Sequence, residues 1–142
     1  MQFKIITKEE FLKYHGDFNY NFYQNPLWGE VKKENGWVSF YTAVLDKKNK
    51  PLLISLVLSK KILGKYLYYA PRGPLLKDEA NRKEVYTFYL TEIKKYLKTK
   101  NAILFKFDPL IEYTKHDKEG KAITEDTEQD FVDFLKKNDV KH

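Results

Sequence analysis

The apolar and polar positions at the start of the chain predict a short strand and then a helix. Residues 3–6 are mostly apolar and bulky, which is typical of an edge strand. Thr7 followed three positions later by Glu10 is the capping-box pattern that begins a helix, and Gly16 suits its end. Residues 17–24 mix polar and aromatic side chains and predict an ordered loop.

A second helix begins at Asn25-Pro26, because Asn caps helices and proline is favoured in their first turn. Leu27, Trp28 and Val31 are spaced to form one apolar face of this helix. Gly36 can adopt the left-handed conformation that stops it.

From Trp37 the hydrophobic period changes to that of strands, with three in succession. The predicted strands cover residues 37–45, 52–58 and 66–70, joined by a hairpin loop over 46–50 and a turn at Gly64. The middle strand is a continuous apolar run, so we expect it to be central and covered on both faces.

The second half predicts the longest helix over residues 78–98 and a strand over 101–107 that ends at Asp108-Pro109. Residues 110–123 are mostly polar and predict a mobile or partly ordered segment, and a last helix is capped by Thr124 or Asp126. The order of elements predicts an α/β fold with a mixed sheet and flanking helices. It is also the order of the front part of an acetyltransferase-like (GNAT-like) domain.

Composition limits the classes of partner. The chain has 142 residues with a net charge of +6 and a pI of about 9.2, which suits an anionic partner. Arginine occurs only at Arg72 and Arg82, so we expect no DNA partner, since arginine is the usual reader of guanine. Cysteine is absent, the three histidines have no metal-ligand spacing, and no signal sequence is visible. These features predict a cytoplasmic protein.

Common catalytic and nucleotide-binding motifs are missing. There is no Gly-x-Ser-x-Gly, Gly-x-Gly-x-x-Gly, Walker or His-Glu-x-x-His sequence, and we predict no metal and no cofactor. The glycine-rich turn by which acetyltransferases hold acyl-CoA is also absent. A stand-alone acetyl-CoA enzyme is therefore disfavoured.

Trp28 and Lys32 form the first candidate site, because residues four apart share one helix face. The functional interpretation is an ammonium beside an aromatic wall, ready for a phosphate. The alternative is a core tryptophan with a surface lysine.

The second and third candidates lie where two strands end. Arg72 sits in a proline-stiffened turn, Ala70-Pro71-Arg72-Gly73-Pro74, directly after Tyr69, and its guanidinium suits a phosphate or a carboxylate. Asp108 ends the later strand and is a candidate base or amine holder. The alternatives are a salt bridge from Arg72 to a loop acid and an aspartate that only caps the turn opened by Pro109.

Three motifs in one order resemble the Fem family of peptidoglycan aminoacyltransferases, the methicillin-resistance factors of FemA, FemB and FemX type. The first is Asn25-Pro26-Leu27-Trp28-Gly29-Glu30-Val31-Lys32 followed by Gly36-Trp37. The second is Tyr69-Ala70-Pro71-Arg72-Gly73-Pro74, and the third is Lys106-Phe107-Asp108-Pro109. The resemblance covers most of residues 20–110.

The resemblance implies an enzyme that uses aminoacyl-tRNA to add amino acids to the stem peptide of a peptidoglycan precursor, either UDP-MurNAc-pentapeptide or lipid II. If lipid II is the acceptor, peripheral membrane contact follows. Lys32 matches the family lysine that approaches the precursor's pyrophosphate, and Asp108 matches a positioning carboxylate. We add Arg72, Trp28 and Tyr69 as substrate-binding residues, with Lys32, Arg72 and Asp108 bordering one hollow.

The family fold has two GNAT-like subdomains, so residues 1–142 are expected to form the N-terminal subdomain of a longer transferase. A second phosphate contact and the tRNA-facing residues would then lie beyond His142, and the fragment alone would be inactive. Two other hypotheses stay open: a basic RNA-binding module without catalysis, and a GNAT-like acyltransferase.

Overall fold

The computed structural model describes residues 1–19, 21–77, 80–111, 115–123, 128–138 and 140–141. The chain divides into two compact units, Met1–Pro109 and Leu110–His142. No helix within these described ranges is long and apolar enough to cross a lipid bilayer.

The first unit is built on a mixed sheet with the order β1-β2-β3-β4-β6, with β5 also paired to β3. Its strands are β1 (Gln2–Ile6), β2 (Val38–Leu45), β3 (Pro51–Ile62), β4 (Lys65–Ala70), β5 (Leu75–Leu76) and β6 (Ala102–Phe107). Neighbours are antiparallel except β4 and β6, which are parallel. A parallel pair needs a crossover connection, and a long helix between β4 and β6 supplies it.

The described part of this unit contains the helices α1 (Lys8–His15), a short 3₁₀ helix (Phe22–Gln24), α2 (Pro26–Lys33) and α3 (Arg82–Lys98). Two of these four helices, α1 and α2, begin where their capping residues predict. Thr7 and Glu10 form the complete capping box, and the Asn25 side chain accepts from the Leu27 amide at 2.9 Å. The longest helix begins after Asn81, whose side chain caps it; its predicted start at residue 78 lies outside the described residues.

β3 lies at the centre of the sheet, as its apolar run predicts. Alternate side chains point to opposite faces. On one face Ile54 and Leu56 join a core that includes Phe11 of α1. On the other face Tyr89 of α3 is fully buried and its hydroxyl lies 3.3 Å from that of Thr42. Helices therefore cover both faces of β3.

The predicted apolar face of α2 is wrong in part. Leu27 and Val31 are 66% and 51% exposed, and only Trp28 of that face packs against the core. The buried positions are Pro26 and Gly29. A Cβ on Gly29 would lie 2.9 Å from the Ser39 hydroxyl oxygen, so the helix approaches the sheet on its glycine side.

The second unit contains two short strands and a helix. They are β7 (Lys115–His116), β8 (Ala122–Ile123) and α4 (Gln129–Lys137). The two strands form a hairpin in the segment where no regular structure was predicted. Its turn is closed by the Asp117 carboxylate, which accepts from the Glu119 and Lys121 amides. The predicted helix is present, but Thr124 and Asp126, its proposed caps, lie outside the described residues.

Candidate functional site

The parallel pairing of β4 with β6 determines where the candidate residues meet. Tyr69 lies opposite Lys106 and Ala70 opposite Phe107, so both strands end at the same edge of the sheet. Ligands in open α/β sheets bind at this kind of edge. Asp108 follows β6 and Arg72 follows β4, and the register therefore places them next to each other.

Asp108 makes three interactions with this edge. Its Oδ1 accepts from the Arg72 backbone amide at 2.8 Å, and its Oδ2 accepts from the Tyr69 hydroxyl at 3.1 Å. The Arg72 Nε lies 4.0 Å from Oδ2, with both side chains partly exposed. Of the two alternatives raised by the sequence, the salt bridge from Arg72 to an acidic residue is present, with Asp108 as the acid. The turn whose amide Asp108 accepts from is the one that contains Arg72, whereas the sequence suggested the turn opened by Pro109.

The Tyr69 hydroxyl is held in its neutral, hydrogen-bond-donating form. Burial and then the adjacent Asp108 carboxylate raise the pKa of Tyr69 above its ordinary value. The Lys106 ammonium also lies 5.3 Å from the Tyr69 ring centroid. Tyr69 therefore donates to Asp108 throughout the neutral pH range.

Two side chains that the sequence analysis did not single out hold the Arg72 turn by hydrogen bonds to its carbonyl groups. Asn21 Nδ2 donates to the Arg72 carbonyl at 3.2 Å, and Gln24 Nε2 donates to the Pro71 carbonyl at 2.8 Å. Arg72 has a φ of 51°, in the left-handed region that non-glycine residues rarely occupy. Such conformations persist where the surroundings determine them, and they cluster at functional sites. The only sequence signal for these two hydrogen bonds was the polar character of residues 17–24.

Gln24 also completes the central strand. Along β3, Leu56 lies between residues 53–54, which pair with β5, and residues 58–62, which pair with β4. The Leu56 peptide therefore has no strand partner on that side. Gln24 Oε1 accepts from the Leu56 amide at 2.8 Å and Nε2 donates to its carbonyl at 3.2 Å. The side-chain amide thus replaces a backbone peptide group and ties the Arg72 turn to the core.

Trp28 and Lys32 lie together as their spacing predicts. The Lys32 ammonium is 4.5 Å from the Trp28 ring centroid, and Tyr23 contacts the same ring edge-on at 5.1 Å. Trp28 Nε1 is buried without a hydrogen-bond partner among the described residues.

The structure joins the candidates into two groups. Tyr69, Arg72 and Asp108 are in direct contact, whereas no hydrogen bond or ion pair between described residues joins Lys32 to Arg72 or Asp108. Within the described ranges, no cluster of three or more His, Asp or Glu side chains is arranged for a metal ion.

Known proteins similar to this chain fall into two sets. Aminoacyltransferase FemB and aminoacyltransferase FemA of Staphylococcus epidermidis are 27% and 28% identical to it, each over the whole chain. The chain spans 34% of the length of each of them. A crystal structure of FemX superposes with a TM-score of 0.76 at 28% identity, over 100% of this chain and 32% of that one.

Acetyltransferases share the fold alone. A crystal structure of a probable acetyltransferase has a TM-score of 0.60 at 14% identity, with 100% of this chain and 91% of that one covered. The predicted GNAT-like mixed α/β fold is confirmed. The model of the FemAB family matches residues 6–142. The chain therefore belongs to the FemAB family.

Proposed function

We propose that residues 1–142 are the N-terminal GNAT-like subdomain of a longer, cytoplasmic aminoacyltransferase. The complete enzyme would use aminoacyl-tRNA to extend the stem peptide of a peptidoglycan precursor, UDP-MurNAc-pentapeptide or lipid II. The similarity to aminoacyltransferases FemA and FemB over the whole chain supports this proposal.

The contact of Asp108 with both Tyr69 and Arg72 is the observation that carries the proposal furthest. An ionised carboxylate has about four lone-pair directions, and the two neighbours take one on each oxygen. The remaining directions are available to an ammonium or amine of the acceptor peptide. In this role Asp108 positions the acceptor amine, and Tyr69 and the Arg72 amide hold the carboxylate in place.

Lys32 and Arg72 supply the positive charge that a precursor phosphate needs. Lys32 lies over Trp28, which restricts the position of its ammonium, and the Arg72 guanidinium is about half exposed at the sheet edge. Arginine and lysine bind phosphate oxygens through charge-assisted hydrogen bonds. The Lys32 ammonium and the Arg72 guanidinium would therefore contact different parts of one extended substrate.

The reaction requires little covalent help from the protein. The acceptor amine attacks the carbonyl of the aminoacyl ester, an amide bond forms, and the tRNA hydroxyl leaves with a proton. Because the ester is already activated, positioning and electrostatic stabilisation supply most of the catalysis. A carboxylate that orients the amine and two cations that hold the precursor fit this chemistry.

The test uses the complete transferase, with precursor affinity and transfer rate measured separately. Lys32→Ala should weaken precursor binding by about 10-fold or more and reduce its salt dependence, because a charge-assisted contact is lost. Lys33→Ala, next along the same helix, is the matched control. Tyr69→Phe should lower the transfer rate several-fold with little change in affinity, whereas Tyr66→Phe on the same strand should not.

Unchanged affinity in Lys32→Ala would remove Lys32 from the site, and an unchanged rate in Tyr69→Phe would remove the Asp108 group from the chemistry. Binding of uncharged tRNA to the chain alone that survives about 200 mM salt would instead favour an RNA-binding module, since phosphate-driven affinity falls steeply with salt.

A further inference from the structure

The turn between β3 and β4 exposes an apolar side chain in an unfavourable backbone conformation. Leu63 is 99% exposed and has a φ of 48°, followed by Gly64 with a φ of 83°. Positive φ at both central residues defines the two-residue hairpin turn that favours Asn, Asp or Gly at the first position. Leucine there is disfavoured by backbone sterics and gains nothing from packing.

Two other left-handed turn positions among the described residues carry the residue expected from local sterics. Asn49, in the β2–β3 hairpin, has a φ of 59°, and Asn101, before β6, has a φ of 56°. Asparagine is one of the few non-glycine types that adopt this conformation readily. Leu63 is therefore a departure that the turn geometry does not explain, as is Arg72 at the candidate site.

Basic and apolar groups surround this tip. Lys60, Lys61 and Lys65 flank it in sequence, and Ile62 is 43% exposed. No acidic residue occurs between Asp46 and Asp78. The chain on either side of this exposed aliphatic pair therefore carries only positive charge.

The adjacent end of β2 carries a further exposed aliphatic side chain. Val38 pairs in register with Ser59 and is 65% exposed, and the Lys60 ammonium lies 5.7 Å from the Trp37 ring centroid. We call Trp37, Val38 and residues 60–65 the hairpin end. It combines an aliphatic tip, a partly buried tryptophan and three lysines.

Two hydrogen bonds connect the turn of the hairpin end to a neighbouring loop. Asn101 Nδ2 donates to the Gly64 carbonyl at 3.1 Å, and the Tyr66 amide donates to the Asn101 carbonyl at 3.1 Å. These bonds tie the turn to the loop that precedes β6. Leu63 is therefore presented to solvent by a turn that is hydrogen-bonded to its neighbour.

The geometry points to the hairpin end as a docking surface for an anionic lipid bilayer. Ile62 and Leu63 would enter the boundary between headgroups and acyl chains, while Lys60, Lys61 and Lys65 face the lipid phosphates. Membrane-surface segments combine these features, with tryptophan at the level of the headgroups. A polyanion such as RNA would engage the lysines but leaves the exposed leucine unexplained. This surface does not depend on the proposed transferase activity.

The expected effects follow from burial and charge. Removing the leucine side chain from the acyl boundary should weaken binding about 10-fold. Each lysine near an anionic surface contributes about 5-fold, which falls with salt. The predicted association is therefore weak, reversible and specific for anionic lipid.

The test is vesicle flotation of the 142-residue chain with phosphatidylglycerol–phosphatidylcholine vesicles, against phosphatidylcholine alone. Leu63→Asn should weaken binding about 10-fold, and because asparagine suits the left-handed turn the fold should be kept. Lys61→Gln should weaken it about 5-fold. Leu12→Asn, at an exposed leucine of α1, and Lys48→Gln, in the other hairpin, are the matched controls.

The proposal is overturned if the chain does not float with anionic vesicles at low salt, or if it floats equally with neutral ones. It is also overturned if Leu63→Asn binds as the unchanged chain does, or if the control variants lose as much. Binding of uncharged tRNA that depends on Lys61, with no vesicle binding, would replace the bilayer with RNA as the partner.

Discussion

Replacing Gln24 with methionine tests whether one buried amide holds the Arg72 turn to the sheet. Methionine has nearly the same length and shape but cannot form the three hydrogen bonds that Gln24 makes with Leu56 and Pro71. Gln24 is fully buried, so water does not reach these groups without local opening.

The expected cost follows from the groups left without partners. The Leu56 carbonyl keeps a contact with the Ser55 hydroxyl at 3.4 Å, whereas the Leu56 amide and the Pro71 carbonyl lose the bonds that Gln24 supplies. Each buried polar group left unsatisfied costs about 1–3 kcal/mol. Gln24→Met should therefore lower the free energy of unfolding by about 2–6 kcal/mol.

Urea unfolding followed by tryptophan fluorescence measures this change. With a slope of about 2 kcal/mol per molar urea, the midpoint should fall by about 1–3 M. Gln2→Met, at an exposed glutamine of β1, is the matched control and should leave the midpoint unchanged. A Gln24→Met midpoint equal to that of the unchanged chain would refute the role assigned to this amide.

Gln24→Glu adds a pH dependence to the same test. A protonated carboxyl can accept from the Leu56 amide and donate to one carbonyl. A buried carboxylate has no proton to donate, so the Leu56 and Pro71 carbonyl oxygens would repel it. Burial therefore raises the folded-state pKa of the introduced Glu above its unfolded value of about 4.3. The free energy of unfolding of Gln24→Glu should therefore be highest below about pH 4.3, where the carboxyl is protonated. Relative to the unchanged chain, this free energy should fall as pH rises through the folded-state pKa.

Two further predictions concern tight packing and a buried phenol. Gly73→Ala should destabilise the chain by about 1–3 kcal/mol in thermal unfolding, because its Cβ would lie 2.5 Å from the fully buried Gln24 amide; an unchanged melting temperature would contradict this contact. Burial raises the pKa of Tyr89 from 10.0 to about 12. Stability that depends on the neutral phenol is therefore complete below pH 10 and lost between about pH 10 and 12. Tyr89→Phe should show a smaller loss of stability over that range, and an identical alkaline unfolding curve would count against it.

Local chemistry made several elements predictable from the sequence. The Thr7–Glu10 capping box and the Asn25 cap depend on residues within three positions of each other, and both are present. The apolar run of β3 likewise indicated a strand covered on both faces. The resemblance to the Fem family, which three short motifs carried, is confirmed by the family match to residues 6–142.

Other features required the tertiary structure. The sequence could not show that the amide of Gln24 bonds a peptide 32 positions away, because that depends on where β4 leaves β3. The face of α2 was mispredicted because hydrophobic spacing ignores how closely Gly29 lets the helix approach the sheet.

The candidate site shows the same division between sequence and structure. The sequence by itself proposed Lys32, Arg72 and Asp108 as site residues, which stays a prediction, and it indicated the proline-stiffened turn that contains the arginine. Only the parallel register of β4 and β6 decided that the Tyr69 hydroxyl bonds Asp108 across 39 positions. The contact of Lys32 with Trp28, by contrast, follows from their four-residue spacing on one helix. Residue types and short spacings encode local hydrogen bonds, whereas the meeting of distant side chains depends on strand pairing that no local pattern specifies.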